Sequence, residues 1–94
     1  MKAKIAVATV SGKAYYLIVT ELKKKNAPFL SLIPKEPIPV EIKVVITTEG
    51  EKHQIDHEKV LTYAEDVEPE ALINEALQIV QGKEYYERMV IGID

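Results

Sequence analysis

Residues 4–10, Lys-Ile-Ala-Val-Ala-Thr-Val, are apolar or β-branched at nearly every position and show no alternation toward water. A strand with one wet face alternates apolar and polar side chains. A run without alternation marks a strand covered on both faces, the situation inside a parallel sheet. Parallel neighbours cannot be joined by a tight turn and need crossover connections. This opening segment therefore commits the chain to a sheet whose connections lie against its faces.

The connections follow from local chemistry. Ser11-Gly12 ends the run, and the Ser hydroxyl can accept from a free first-turn N–H, so a helix is expected over roughly 12–25. Ala14, Leu17, Ile18 and Leu22 share one face of it. Lys23, Lys24 and Lys25 crowd its last turn, where cations complement the helix dipole. Asn26 and Pro28 close it. Phe29–Ile33 reads as a short second strand. Pro34, Pro37 and Pro39 then impose an extended connection over 34–39 that is neither helix nor central strand.

Ile42–Thr48 is the strongest β signal and forms a third strand. The polar stretch Glu49–Glu58 reads as a loop with a hairpin turn at Glu49-Gly50-Glu51, and Lys59–Tyr63 as a weak strand. Asp66, Glu68 and Pro69 open a second helix. Its apolar face is Leu72, Ile73, Ala76, Leu77 and Val80, and Gly82 caps it. Lys83–Glu87 is polar, and Met89–Ile93 reads as a final strand. The order β-α-β-β-(β)-α-β predicts an α/β domain of two or three layers over residues 1–87. Its mixed or parallel sheet has four or five strands and two main helices. A doubly wound arrangement comes first, and a two-layer α+β sandwich is the alternative.

Composition narrows the function classes. The chain has no Cys, which removes thiolate metal sites, thiol nucleophiles and disulfides, and fits a cytoplasmic protein. No apolar stretch is long enough to span a membrane. A net charge of −3 carries no strong signal for nucleic acid. Glu and Lys far outnumber Asn and Gln, which points to a thermophilic source.

Three constellations are candidate sites. Ser11-Gly12-Lys13 sits between strand and helix, where α/β proteins hold anions on free helix N–H groups. It has one Gly, however, and lacks the Lys-Ser/Thr ending of a phosphate loop. His53 and His57, with Asp56, Glu49, Glu51 and Glu58 nearby, offer zinc-type ligands, against the plainer reading of a solvated turn. Tyr15-Tyr16 and Tyr85-Tyr86 could stack on single-stranded bases, yet adjacent aromatics on a helix diverge. The acids Glu65, Asp66, Glu68 and Glu70 are accounted for by the helix dipole. Ser11 and Ser31 are the only serines, neither stands in a nucleophile motif, and no catalytic residue is expected.

Val90-Ile91-Gly92-Ile93-Asp94 resembles the opening strand of ribonuclease H-like domains of the Holliday-junction-resolvase type, and also that of sugar-kinase and actin-like proteins. The resemblance implies that residues 88–94 finish this sheet and begin a severed nuclease domain, in which Asp94 would bind a divalent metal such as Mg or Mn. No cofactor is implied within the rest of the chain. Two functions are then expected. One is a non-catalytic accessory or interaction domain at the N-terminus of a longer nuclease, partnered by that downstream domain or by another copy through an edge strand such as 42–46. The other is a stand-alone protein binding a small anion or nucleotide at Ser11-Gly12-Lys13.

Overall fold

The computed structural model describes the backbone of residues 3–92 and the side chains of residues 3–81. Strand β1 covers Ile5–Ala8, helix α1 Gly12–Lys24, β2 Phe29–Leu32, β3 Val44–Thr48 and β4 Val60–Tyr63. Between β3 and β4 lies a 3₁₀ helix over Glu49–Gln54, and helix α2 runs over Pro69–Gly92. The four strands form one sheet in the order β2-β1-β3-β4, and every pair is parallel. The domain is therefore α/β and doubly wound in its strand order.

The unalternating first strand lies in the interior of the sheet, and all four of its residues are buried. Ile5 and Val7 face the helices together with Val44 and Ile46. They pack against Ala14, Ile18 and Leu22 of α1 and Leu72, Ile73 and Ala76 of α2. Both helices thus cover the same face. Ala6, Ala8 and Val45 point the other way, onto Ile42, Leu30, Leu32, Ile38 and Ile55. That face carries no α-helix among the described residues; the proline-rich connection and the segment after β3 cover it. Small side chains at Ala6 and Ala8 let those irregular segments approach closely.

Handedness accounts for the sidedness. Moving from β1 to β2 goes one way across the sheet, and moving from β2 to β3 and then β4 goes the other. Right-handed crossovers then place the connections on opposite faces. Pro34, Pro37 and Pro39 rule out a helix in the second crossover, so an extended cover takes its place.

Local chemistry sets the helix limits. Ser11 caps α1, its hydroxyl accepting from Ala14 N–H at 3.3 Å. At the other end Asn26 has a φ of 56°, while Ala27 N–H donates to Leu22 O and Asn26 N–H to Lys23 O. This is the paired closure that a left-handed residue permits. Lys35 is the second non-glycine residue with positive φ, at 85°. It follows Pro34 in a turn closed by Glu36 N–H to Ile33 O, where a type II geometry favours Gly.

Several expectations need correcting. Residues 49–54 form a 3₁₀ helix rather than a hairpin turn, because parallel β3 and β4 cannot be joined by a hairpin. Residues 42–46 are not an edge: β3 is flanked by β1 and β4. Gly82 does not end α2, and residues 89–92 are helical rather than a final strand. The polar segment around Lys83–Glu87 has good helix formers and no breaker, so the helix runs through it. Ile93 and Asp94 lie outside the described residues.

Candidate functional site

In this strand order the direction of winding reverses between β1 and β3. The carboxyl ends of those two strands diverge into opposite connections and leave a crevice, the position at which open α/β sheets bind ligands. Here the crevice is bounded by Thr9, Val10 and Ser11 after β1 and by Thr48, at the end of β3, with Glu49, Gly50 and Glu51 beyond it.

Glu51 occupies it. The 3₁₀ helix turns this side chain back against the end of β1, leaving the residue 9 % exposed. The hydroxyls of Thr9 and Thr48 donate to its Oε1 at 2.5 and 2.7 Å, and Val10 N–H donates to its Oε2 at 2.9 Å. Ser11 N–H in turn donates to Thr9 Oγ1 at 3.1 Å, linking the network to the cap of α1. Below it the buried Thr47 hydroxyl donates to Ala8 O at 2.6 Å and ties the two strands together. Burial by itself pushes the Glu51 carboxyl up, but the bonds from Thr9, Val10 and Thr48 outweigh it and hold the group below its ordinary value. A carboxylate with three donors aimed at it is a satisfied anion.

Beside this network a shallow cleft of about 270 Å³ opens between the start of α1 and the ends of β3 and β4. Ser11 and Lys13 line it, and so do Glu49, Tyr63 and Glu65. The structure thus brings Ser11 and Lys13 to the edge of the crevice. Gly12 has open space where a side chain would sit. The Ser11 hydroxyl is engaged in capping, and two carboxylates share the cleft with the single Lys.

The histidines separate. His53 is exposed on the 3₁₀ helix. His57 lies at the opposite end of the sheet, where its Nε2 meets Ile42 O at 3.0 Å and Lys59 N–H donates to its Nδ1 at 3.0 Å. The ring joins the start of β3 to the start of β4, and its tautomer is fixed by the carbonyl at Nε2. Among the described residues no three His, Asp or Glu side chains gather as a metal-binding group. Tyr15 packs against the core and bonds Ser31 through its hydroxyl at 2.6 Å, whereas Tyr16 is exposed. Tyr85, Tyr86 and Asp94 fall outside the described side chains.

Sequence reasoning placed Glu51 in a solvated turn. One signal could have found it: Thr48-Glu-Gly-Glu51 has the Ser/Thr-x-x-Glu spacing of a capping box, which marks a short helix and a Glu folded back on its own start.

The fold and crevice define a domain with doubly wound strand order and its switch point between β1 and β3. Residues 4–80 match the family model described as a response regulator receiver-like domain, and the chain belongs to that family. Compared with curated proteins and with solved structures, it finds no match. The match overturns the ribonuclease H-like reading of Val90–Asp94: the family is a different one, and residues 90–92 continue a helix rather than open a sheet.

Proposed function

We propose that this domain is a non-catalytic interaction module of a signalling assembly, in which the chain's own Glu51 fills the position that a doubly wound sheet offers to an anionic ligand. The family supports the signalling setting. The Glu51 network carries the rest of the reading. A carboxylate that accepts a phosphoryl group must present a free oxygen to the donor, whereas both Glu51 oxygens are held by donors inside the fold. The same donors would be the ones to hold a phosphate at this point. A cytoplasmic location belongs to this reading, supported by the absence of Cys; no described helix is long and apolar enough to cross a membrane.

The test is intact-mass measurement after incubation with acetyl phosphate and Mg²⁺, paired with thermal unfolding in inorganic phosphate and nucleotides. No phosphoryl increment and no rise in Tm are expected. A stoichiometric mass gain, or phosphate stabilisation that Glu51→Gln leaves in place, would overturn the proposal.

A second reading, anion binding at Ser11-Gly12-Lys13, draws support from the cleft these residues line. Glu49 and Glu65 in the same cleft oppose it. Phosphate stabilisation abolished by Lys13→Ala would favour it over the first.

A further inference from the structure

We infer that Thr9, Val10 and Thr48 form a receptor for an external carboxylate, and that Glu51, carried on the segment Glu49–Gln54, is its displaceable internal occupant. This deepens the reading of the Glu51 network and rests on it. The two fail separately: a crevice that takes up no external carboxylate, in a chain that takes up no phosphoryl group, leaves the earlier proposal standing.

The donors are held in place without Glu51. Thr48 ends β3 in register with Tyr63 of β4, and Thr47 beside it is tied to Ala8 O. Val10 follows the interior strand β1. Its side chain lies in solvent, 73 % exposed, while its N–H points into the crevice. Thr9 Oγ1 already accepts Ser11 N–H, so its own proton is left to donate. Ser11 is fixed in turn by α1: its carbonyl accepts Tyr15 N–H at 2.9 Å and its hydroxyl caps Ala14. The sheet and the first helix therefore keep two hydroxyls and one amide aimed at one point.

The occupant is held less firmly. It rides on a 3₁₀ turn, whose hydrogen bonds have poorer geometry than those of an α-helix. Thr48 gives that turn no side-chain cap, and Lys52 and His53 on it are exposed. Among the described residues, two side-chain attachments hold it besides the Glu51 network. The Thr62 hydroxyl donates to Glu49 Oε2 at 3.0 Å, and the half-buried Ile55 that follows packs on the sheet. A segment so lightly attached belongs to the low-stability end of a fold, where local opening needs no global unfolding.

The charge pattern selects the ligand. Both hydroxyls meet one carboxylate oxygen and the amide meets the other, a pattern for two oxygens in a plane. Glu51 takes part in neither described ion pair, Lys24–Glu21 or Lys25–Glu70. Three neutral donors suit one negative charge. A dianionic phosphate would bring a second charge with no cation to meet it. The carboxylate comes from a small free acid or from an acidic side chain on a peptide, and both present the same group.

Acetate titration of Glu51→Ala in the full chain tests this, because the substitution empties the receptor and leaves its donors. Binding should saturate with a Kd on the order of 10 mM, which so small a ligand can support. At about 100 mM it should raise Tm by about 5 °C beyond chloride at equal ionic strength, and move the Val10 amide resonance back toward its wild-type position. Adding Thr48→Val, which removes one hydroxyl and no other described side-chain bond, should weaken acetate about tenfold. N-acetylglutamic acid α-amide separates the sources: binding tighter than acetate assigns the site to an acidic peptide, and equal or weaker binding to free carboxylates. Should Glu51→Ala not fold by circular dichroism, Glu51→Gln carries the same titration, since its neutral amide is a poorer occupant that acetate displaces. No saturable Val10 response beyond chloride, in whichever variant folds, overturns the inference. So does phosphate that binds more tightly than acetate, or acetate binding that Thr48→Val leaves unchanged.

Discussion

Replacing Glu51 with Gln is the most direct probe of the crevice. The substitution keeps the size of the side chain and one acceptor oxygen but puts an amide where the second carboxylate oxygen stood. If Oε1 stays with the Thr9 and Thr48 hydroxyls, the new NH₂ faces Val10 N–H, and two donors then meet. Hydrogen bonds to a charged group contribute about 1.5–3 kcal/mol each, and orphaning a buried donor costs about 1–3 kcal/mol. The hydroxyls can rotate toward new partners and the Val10 amide cannot. The expected loss is therefore about 2–4 kcal/mol rather than the sum over three bonds. Urea unfolding at neutral pH, with an unchanged m-value, measures it.

The pH dependence supplies a sign that simple loss of packing would not. The folded carboxyl lies below its ordinary value, so its contribution is fully present above the unfolded pKa and is lost as pH falls through the folded one. The stability gap between wild type and Glu51→Gln should hold steady near neutrality and shrink only in the acid range below the ordinary carboxylate value. A gap smaller than about 0.5 kcal/mol at neutral pH, or one that widens on acidification, refutes the assignment of Glu51 as a satisfied internal anion.

Other expectations follow from single residues. Lys35→Gly and Asn26→Gly relieve positive backbone angles and should each stabilise by about 0.5–1 kcal/mol, readable as a rise in Tm. His57→Ala removes the link between the starts of β3 and β4; a loss of about 1–2 kcal/mol is expected, with faster hydrogen exchange at the Lys59 amide than at Thr47. Because zinc at His57 would have to displace one of its two backbone bonds, zinc should leave the melting temperature unchanged, and a chelator-reversible rise would reinstate a metal site. Ile46→Ala empties a fully buried position beneath both helices and should cost about 2–5 kcal/mol in urea unfolding.

Much of this architecture is written in local patterns. The absence of alternation in Ile5–Ala8 announced a strand covered on both faces, and Ser11 and Asn26 bracketed α1 because capping depends on one or two residues. The three prolines correctly excluded a helix after β2. What the patterns do not contain is sidedness. Only the chirality of successive crossovers puts α1 on one face and the irregular connections on the other. Glu51 was illegible for a related reason: its donors come from Thr9 and Val10, about forty residues away in sequence, and a charged residue in a polar stretch looks solvated until the partner strand is beside it. The end of α2 was misread because Val, Ile and Gly carry a strand-like signal over a few residues, and a helix already under way overrides such short-range preference.

The interior position of β1 also sets an order of events during synthesis. Ile5 pairs with Phe29 on one side and Val44 on the other, so β1, made before the other three strands of this sheet, waits longest for its second neighbour. Until residues 44–48 emerge, its apolar run has only the β1-α1-β2 unit to shelter it. No ladder in this sheet joins strands through a hairpin, so each must close a long loop before it gains a bond. The proline-stiffened segment limits the conformations sampled in the second of those closures and so lowers the entropy lost when β3 docks against β1.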